Sequence, residues 1–497
     1  MERQSTDGQE FHVDGAPTPG KEKYNISGIR KLLVSWQHFG TAMLLSKAWE
    51  KYVIDRYRYR IGLVRKIPEF SFDPQSRRPL PEEQVRANPS IAICYLVHYF
   101  FPDKQGGTER FVLNLAHEQQ RLGNDVRVIT LGKRAKECYT HAMGGILWDE
   151  FKFEGVPVTQ IRYDRAPRGL YYDQILPYDP DMTAYAEQAI ARYRPDIVHL
   201  AYPQPFAAFA EVCRQKKIPY LLTLTDFNIF CHYATMVRKS GEFCCGSAHG
   251  TECSAHCRTF GVVNYGERYK NAAHLLKEAA GITVPSMFVA GVAAKEFPQT
   301  QMYIIPHGIE RGFQLSRNRR KTKHFLYAGT LSELKGIRLL ISAFQETAGE
   351  ISLTICGGGD RAYISSLKKS VGKDVRIRFI GEVPAGTMMN VYQEADCVIV
   401  PSMWFETYNF VLREALACGC IGIASNMGAM PEAIIPGRNG FLFEAGNLSS
   451  LKETLKKAVD FDWAGYQQTV FPSLKEEAAQ YQTLYQHMRS GYCGSEN

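Results

Sequence analysis

The chain has 497 residues, of which 45% are hydrophobic and 22% charged, the composition of a globular protein too long for one ordinary core. Its net charge of +8 arises locally, because residues 21–66 contain eleven Lys or Arg and three Asp or Glu. A nucleic-acid-binding protein would spread its positive charge more widely. We therefore expect a single basic element and no nucleic-acid partner.

The first twenty residues lack the apolar segment of a secretory signal, and no run of 18 apolar residues follows. A cytoplasmic location is the resulting expectation. In that compartment most of the thirteen cysteines would be reduced.

Residues 1–20 are polar and contain Gly and Pro, which predicts disorder. Residues 21–89 are predicted to form a basic helical extension followed by a proline-rich linker. The extension carries Trp36, Phe39 and Trp49 among its Lys and Arg residues, and such a helix suits an anionic membrane surface. Two interpretations stay open: peripheral attachment at the inner face of a membrane, or packing on the domain that follows.

From residue 90 the chain alternates short apolar runs with amphipathic segments. Predicted strands are SIAICYLVHYF, DVRVITLG, PDIVHLA and PYLLTLTD. Predicted helices are TERFVLNLAHEQQRLG, with Thr108 as its N-cap, and QPFAAFAEVCRQKK. Because strands that alternate with helices form parallel sheets covered on both faces, residues 90–300 are predicted to be one α/β domain.

The alternation starts again near residue 323, which predicts a second domain at 301–465. Its predicted strands are KHFLYAGTL, ISLTICGGG, VRIRFIGEV, CVIVPS and CIGIASN, and its predicted helices are GIRLLISAFQET, AYISSLKKSV, TMMNVYQEA and YNFVLREALAC. One more amphipathic helix is predicted within 466–490. The fold class is therefore α/β, with two Rossmann-like doubly wound domains facing a cleft, where ligands bind beyond the carboxyl ends of the strands.

In the second domain, WFETYNFVLREALACG carries Glu406 and Glu414, eight residues apart. A helix is predicted to start near Thr407 or Tyr408 and to end before Gly419. Glu406 then lies at the mouth of the helix and Glu414 about two turns inside it. At that spacing the carboxylates cannot share a metal ion or a proton, but they can hold two parts of one elongated ligand.

The helix start adds an anion site to this arrangement. The first-turn amides of Tyr408, Asn409 and Phe410 would lack intrahelical partners and would attract a phosphate. A sugar, a diphosphate and a ribose fit this order of groups. The alternative is a helix N-terminal charge at Glu406 and a solvated face residue at Glu414.

The surrounding blocks resemble the retaining glycosyltransferases of family 4, which have the GT-B fold. The resemblance covers residues 90 to about 488 and includes the Glu-x7-Glu motif of that family. The blocks stand in the family's order: RPDIVHL, VPSMFVA, IPHGIE, YAGTLSELKGIRLLISAF, ICGGGD, FIGEVP and YQEADCVIVPSMWFETYNFVLREALACGCIGIASNMGAMPEAIIPGRNGFLF. The resemblance implies that the terminal helix crosses back onto the N-terminal domain.

The resemblance also implies roles for individual residues. Glu406 would contact the donor hexose, Glu414 would bind the ribose hydroxyls, and Lys335 of the Lys-Gly element would neutralise the donor phosphates. Where the family often has an arginine, this chain has Thr330; Arg338 or Arg413 would have to compensate.

Further donor-binding candidates lie in matched loops. Gly106 and Gly107 follow the first strand, where only glycine lets a backbone approach a ligand closely, although a plain tight turn uses glycine in the same way. Gly358, in CGGGD, has the same two interpretations. Val383, in FIGEVP, completes the set together with Thr330, Tyr408, Asn409 and Phe410.

The strand end LTLTDFNIFC matches a place where the family commonly has His-Asp. Thr225 replaces the histidine, so that general base is missing, and Asp226 remains as a candidate that orients the acceptor. Ser286 and His307 lie in matched blocks, but each also suits a loop or cap role.

Five of the thirteen cysteines lie within 231–257, inside a predicted insert at 227–260. Four thiolates from a loop-rich segment suit a tetrahedral structural Zn²⁺, and Cys231, Cys253, Cys257 and one of Cys244 or Cys245 are the predicted ligands. The alternative is a group of reduced, partly buried thiols that pack as small apolar side chains.

These observations together predict a retaining, metal-independent hexosyltransferase. It would use a nucleoside-diphosphate sugar as donor and a sugar or lipid-linked sugar as acceptor, in cell-envelope or extracellular polysaccharide biosynthesis. No cofactor is expected for catalysis, since no Asp-x-Asp pair stands at a strand end and Lys335 faces the phosphates. Two alternatives are an inactive GT-B protein that binds a nucleotide sugar or acts as a scaffold, and a sugar-nucleotide epimerase.

Overall fold

The computed structural model describes residues 67–73, 76–81, 90–132, 134–164, 175–238, 240–257, 263–310 and 323–493. The predictions for the first 66 residues, disorder followed by a basic helix, lie outside the described residues, as do residues 74–75 and 82–89 of the linker. Within the described part of the chain, no helix is long and apolar enough to cross a membrane.

The first domain is built on one nine-stranded sheet. Its strands are β1 (Ala92–Val97), β2 (Asp125–Leu131), β3 (His141–Met143), β4 (Ile146–Phe153), β5 (Val156–Tyr163), β6 (Ile197–Leu200), β7 (Tyr220–Thr223), β8 (Gly281–Val284) and β9 (Tyr303–Ile304), in the order β3-β4-β5-β2-β1-β6-β7-β8-β9. All neighbours from β5 to β9 are parallel. β3, β4 and β5 form an antiparallel edge that the strand-helix alternation does not predict.

The described part of this domain has six α-helices: α1 (Gly107–Arg121), α2 (Pro180–Tyr193), α3 (Ala207–Gln215), α4 (Thr251–His256), α5 (Tyr265–Lys277) and α6 (Met287–Glu296). Alternate residues of β1 face opposite sides of the sheet, so Tyr95 packs in one core with Phe111 of α1, while Leu96 packs in another with Tyr185 of α2. This arrangement is the covering on both faces that the apolar strands predicted.

The N-cap of α1 differs from the prediction. The helix begins at Gly107 and its N-cap is Gly106, which makes no side-chain capping bond. The predicted cap, Thr108, instead donates from its hydroxyl to the hydroxyl of Thr225, at 2.9 Å. The hydroxyl therefore joins α1 to the loop after β7.

The second domain has a six-stranded sheet in which every neighbouring pair is parallel. Its strands are β10 (Lys323–Ala328), β11 (Ile351–Cys356), β12 (Ile377–Gly381), β13 (Cys397–Val400), β14 (Ile421–Ser425) and β15 (Gly440–Phe443), in the order β12-β11-β10-β13-β14-β15. Its helices are α7 (Ile337–Gln345), α8 (Arg361–Val371), α9 (Met388–Glu394), α10 (Phe410–Ala417) and α11 (Leu448–Val459). The two doubly wound domains confirm the predicted fold class.

The last helix, α12 (Leu474–Cys493), packs on the first domain. The Nε2 atom of Gln119 donates to the carbonyl of Ala478 at 2.8 Å, and the hydroxyl of Tyr485 lies 2.7 Å from Nδ1 of His199. The crossover predicted for this helix is confirmed. The predicted domain boundary at 300 is too early, because β9 pairs with β8 in the first sheet.

Candidate active site

Lys335 lies in the turn between β10 and α7. Gly336, which follows it, has φ of +69°, and a Cβ there would lie 1.8 Å from the carbonyl oxygen of Pro401. Only glycine fits this position, since it needs both a left-handed backbone and the missing side chain. The close approach holds Lys335 beside the loop that follows β13.

Glu406 lies in that loop and is 8% exposed. Its Oε1 accepts from Lys335 Nζ at 2.6 Å, from Ser402 Oγ at 2.6 Å and from Trp404 Nε1 at 2.9 Å. Burial raises the pKa of Glu406, but the charge of Lys335 and these hydrogen bonds outweigh burial, so the pKa lies below the usual value of a glutamate. Glu406 is therefore a fixed carboxylate paired with a fixed ammonium group.

The helix after Glu406 starts later than predicted. α10 begins at Phe410, and Asn409 is its N-cap, with φ of +66° and a side chain that accepts from Leu412 N. The amides of Tyr408 and Asn409 therefore precede the helix, and the predicted anion site is restricted to the turn that starts at Phe410. Asparagine adopts a left-handed backbone more readily than most residues, and its side chain also caps the helix.

Two of the predicted donor-binding aromatic residues have structural contacts. Tyr408 is buried, and its hydroxyl donates to the carbonyl of His307 at 2.5 Å. Phe410 stacks on the His307 ring with centroids 5.3 Å apart. A Cβ on Gly107 would lie 3.7 Å from the Phe410 ring, so the glycine pair faces the start of α10 across the domain interface.

Glu414 lies inside α10 and is buried. Its Oε1 pairs with Arg110 Nη2 of α1 at 2.7 Å, and its Oε2 accepts from the Tyr392 hydroxyl at 2.8 Å. Burial raises the pKa of Glu414, and the Arg110 charge and the hydrogen bonds oppose the rise without cancelling it. Its principal cation therefore comes from the opposite domain.

Acidic and basic groups also converge at the carboxyl ends of β1 and β7. Asp226 accepts from the amide of Asn228 at 2.8 Å, and burial raises its pKa to about 7. Glu109, in the first turn of α1, is 2% exposed, and its Oε1 lies 3.8 Å from Lys104 Nζ and 3.7 Å from His98 Nε2. Burial also raises the pKa of Glu109. Two buried carboxyl groups with raised pKa values therefore lie at the carboxyl ends of β1 and β7.

Direct bonds between the domains hold this cleft together. Thr407 Oγ1 donates to the carbonyl of Thr225 at 2.8 Å, and Ser286 Oγ donates to the carbonyl of Thr407 at 2.7 Å. Ser286 also caps α6, accepting from the amide of Val289. Phe243 of the cysteine-rich insert lies 5.1 Å from Phe405, centroid to centroid, so the insert reaches the residue next to Glu406.

The remaining donor-binding candidates surround the same end of the second sheet. Thr330 is exposed, and its carbonyl accepts from the Tyr327 hydroxyl at 2.8 Å. A Cβ on Gly358 would lie 1.8 Å from Oε1 of Glu382, so this glycine makes room for a side chain of its own domain. Val383 is half-buried and packs against the core.

The two arginines suggested to compensate for Thr330 make contacts within the second domain. Arg413 is buried, donates to the carbonyl of Ala429 at 3.0 Å and lies 3.9 Å from the Tyr408 ring. Arg338 donates to Ser366 Oγ at 3.0 Å and pairs with Glu333. Among the described residues, Nη1 of Arg413 has no hydrogen-bond partner.

Four of the five cysteines of the insert are buried near one another, and the fifth is exposed. Cys231, Cys244, Cys253 and Cys257 are buried and Cys245 is exposed. Burial, followed by the proximity of the other three thiols, raises the pKa of Cys253 to about 12. Among the described residues, however, no three His, Cys, Asp or Glu side chains are arranged to hold a metal ion.

The arrangement of these thiols therefore does not fit a zinc centre as it stands, and the zinc site stays a prediction. Metal analysis of the purified protein distinguishes the two interpretations. About one zinc per chain would support the predicted site. A chain without zinc would leave four buried thiols that pack as small apolar groups.

Several residues of this site carry no sequence signal of their own. Arg110 and Glu109 lie on an ordinary amphipathic helix, and His98 directly follows a buried strand. Their position near the glycine pair is the one clue that the sequence offers. Their relation to Glu414 and Asp226 depends on how the domains and loops pack.

The fold and the site define a class: two Rossmann-like domains of the GT-B type, with a paired lysine and glutamate where the second domain faces the first. Two family descriptions match the chain. Residues 106–306 match the glycosyl transferase 4-like domain, and residues 310–462 match the glycosyl transferases group 1. The first domain therefore matches the 4-like glycosyltransferases and the second the group 1 glycosyltransferases, and the two matches together show a glycosyltransferase of this type.

Curated relatives match over part of their length. D-inositol 3-phosphate glycosyltransferase of Corynebacterium jeikeium is 31% identical over 150 residues, which are 28% of this chain and 36% of the relative. Lipopolysaccharide 1,2-N-acetylglucosaminetransferase of Salmonella typhimurium is 30% identical over 204 residues, which are 36% of this chain and 53% of the relative. The match thus spans about a third to a half of these relatives.

Solved structures share the architecture. Sucrose-phosphate synthase from Thermosynechococcus elongatus superposes with a TM-score of 0.58 at 17% identity, covering 81% of this chain and 97% of that one. Anabaena HepE, solved in complex with UDP and glucose, gives a TM-score of 0.52 at 16% identity, covering 82% and 99%. At these identities the similarity concerns the fold.

Proposed function

We propose that the chain is a retaining hexosyltransferase that moves a sugar from a nucleoside diphosphate to a hydroxyl acceptor. The observation that carries the proposal is the ion pair of Lys335 and Glu406 at 2.6 Å. Glu406 stands eight residues before the buried Glu414, and the helix start between them faces the glycine pair of the other domain. A carboxylate, an ammonium group and a second carboxylate match a hexose, a diphosphate and a ribose. HepE, a structural neighbour, was solved with UDP-glucose, which is consistent with such a donor.

In this reaction the bond between the sugar C1 and the phosphate oxygen breaks while the acceptor oxygen bonds to C1. Lys335 would stabilise the negative charge that develops on the leaving diphosphate, and Glu406 would hold the hexose and keep Lys335 in place. The leaving phosphate would take the acceptor proton, so the reaction needs no base at Thr225. Asp226 would orient the acceptor hydroxyl as a hydrogen-bond acceptor.

The charge supplied by Lys335 and the first turn of α10 supports a mechanism that needs no divalent cation. Transfer measured in excess EDTA tests this point. Unchanged turnover is the expected result. A loss that Mg²⁺ or Mn²⁺ reverses would overturn the metal-independent mechanism.

The main experiment is a donor screen in which the released nucleoside diphosphate is measured for wild type and for Glu406→Gln. We expect turnover with at least one sugar nucleotide, and an anomeric configuration in the product that matches the donor by NMR. Glu406→Gln should abolish turnover while nucleotide binding persists. Binding without turnover of any donor would instead favour an inactive, nucleotide-sugar-binding scaffold.

The proposed acceptor is a sugar or lipid-linked sugar in cell-envelope or extracellular polysaccharide synthesis. The basic aromatic segment within residues 21–66 supports a peripheral position on an anionic cytoplasmic membrane surface. Flotation with phosphatidylglycerol-containing liposomes compares the full chain with a chain that starts at residue 88. Equal recovery of the two would reject the membrane role.

A further inference from the structure

Arg110 is a cation of the first domain that reaches into the donor side of the cleft. It lies near the start of α1, three residues after Gly107, and its side chain is 29% exposed. Its Nη2 pairs with Glu414 Oε1 at 2.7 Å. Its guanidinium carbon lies 5.8 Å from the ring of Phe410, the first residue of α10. The guanidinium group is therefore already next to the helix start where a diphosphate would lie.

Ribose hydroxyls that bind to Glu414 would disturb its ion pair with Arg110. The Tyr392 hydroxyl occupies Oε2 and Arg110 occupies Oε1, and the carboxylate is buried. A carboxylate can accept about four hydrogen bonds, but Glu414 is only 3% exposed, so ribose hydroxyls could reach it only by displacing a neighbouring group. Arg110, whose side chain is 29% exposed, is more easily displaced than Tyr392, which is 2% exposed. The guanidinium group would then need another anion, and the adjacent diphosphate is the suitable one.

The donor site also needs such a charge. Thr330 carries no charge, Arg413 is buried, and Arg338 donates to Ser366 and pairs with Glu333. Lys335 shares its charge with Glu406. A nucleoside diphosphate carries more negative charge than one lysine neutralises, and a guanidinium group binds two phosphate oxygens at once.

We propose that Arg110 is a donor-binding residue which exchanges Glu414 for the diphosphate when the ribose hydroxyls bind to Glu414. The exchange rests on the proposed function, since it assumes a nucleoside-diphosphate donor. It assigns one phosphate contact to the first domain. Donor binding would thereby replace the direct Arg110–Glu414 pair between the domains by a contact through the donor.

The test compares UDP with uridine on the full chain by calorimetry, using wild type, Arg110→Ala and Arg110→Gln. If UDP does not bind, GDP with guanosine and ADP with adenosine take its place. Loss of Arg110 should weaken diphosphate binding about ten- to a hundredfold, the range for a charge-assisted hydrogen bond. Nucleoside binding should stay the same or become tighter, because Glu414 is released.

Arg121→Ala is the matched control, since Arg121 lies on the same helix, is 67% exposed and pairs with Glu118. It should leave both affinities unchanged. An Arg110 variant with unaltered diphosphate binding, or with equal losses for diphosphate and nucleoside, would overturn the proposal. A wild-type chain that binds none of the three diphosphates would instead refute the proposed function, and the inference with it.

Discussion

Lys335 and Glu406 are 71 residues apart in sequence, and their side chains form an ion pair of 2.6 Å. Each is placed by a different strand end: Lys335 follows β10 and Glu406 follows β13, and these strands are neighbours in the sheet. Because the carboxyl ends of parallel strands meet at one edge, the two loops converge there. The pair lies near the domain interface, where Thr407 binds the loop after β7.

Replacing Lys335 by Ala should lower kcat/KM for the donor by about a hundredfold or more, because the developing charge on the diphosphate loses its nearest cation. The steady-state rate of diphosphate release measures the effect. The change also leaves Glu406 buried without its counter-ion. Lys452→Ala serves as the control, since Lys452 forms an exposed pair with Glu346 and should leave the rate unchanged. Near-wild-type turnover in Lys335→Ala would contradict the role.

Asp226 should make transfer depend on pH. Its pKa is raised to about 7, so the carboxyl is neutral in acid and becomes a charged, stronger hydrogen-bond acceptor for a hydroxyl as pH rises through that value. We expect the transfer rate at saturating donor to increase across about pH 6 to 8 in wild type and to lose this step in Asp226→Asn. A rate profile that Asp226→Asn leaves unchanged would exclude this role.

The raised pKa of Asp226 should also make the stability of the protein depend on pH. An unfolded aspartate loses its proton near pH 4, whereas the folded one keeps it to about 7, so the folded state binds more protons between these values. The free energy of unfolding should therefore fall as pH rises from about 4 to 7 and should change little above that on account of this group. Denaturant titrations of wild type, Asp226→Asn and the exposed-site control Asp125→Asn across this range measure the difference.

Gly336→Ala should destabilise the second domain by more than about 2 kcal/mol, because the new Cβ meets the Pro401 carbonyl and the backbone is left-handed. Gly437→Ala is the matched control. Its φ is +73°, close to that of Gly336, but nothing lies within 4 Å of the added Cβ. It should therefore cost only about 1 kcal/mol. Denaturant midpoints compare the two, and equal losses would show that the contact with Pro401 does not matter.

The two sheets were predictable because their strands are continuous apolar runs separated by amphipathic helices. β13 and β14 are completely buried, and their sequences, CVIV and IGIAS, are almost entirely apolar. The alternation does not predict the antiparallel edge because Ile146–Phe153 mixes charged and apolar residues and five of its eight residues are only partly buried. Its strand character comes from pairing with β5, which periodicity cannot reveal.

Within the site, Glu406, Lys335 and Glu414 could be found from their motif, whereas their partners could not. Arg110 meets Glu414 only because α1 and α10 face each other across the cleft. The start of α10 was misjudged because Asn409 adopts a left-handed conformation that few residues favour. Propensity and spacing locate the elements, and the contacts between domains are decided by packing.

Glu477 of α12 joins the crossover helix to the end of the first domain. Its Oε1 lies 3.1 Å from His307 Nδ1, and its Oε2 accepts from the amide of Gly308 at 2.8 Å, in a position that is 2% exposed. Glu477→Ala would leave that buried amide without its acceptor, at a cost of about 1–3 kcal/mol. Glu477→Gln keeps the volume and one carbonyl acceptor, so it should cost less.

Denaturant unfolding of the full chain measures both Glu477 variants against Glu453→Gln, a change in an exposed pair with Lys457 that should have almost no effect. The loss in free energy of unfolding should be largest for Glu477→Ala, smaller for Glu477→Gln and smallest for Glu453→Gln. Because His307 stacks on Phe410, Glu477→Ala should also weaken binding of the nucleoside diphosphate. Wild-type stability in Glu477→Ala would mean that the amide of Gly308 finds water once the carboxylate is gone, and that α12 is held by its apolar face alone.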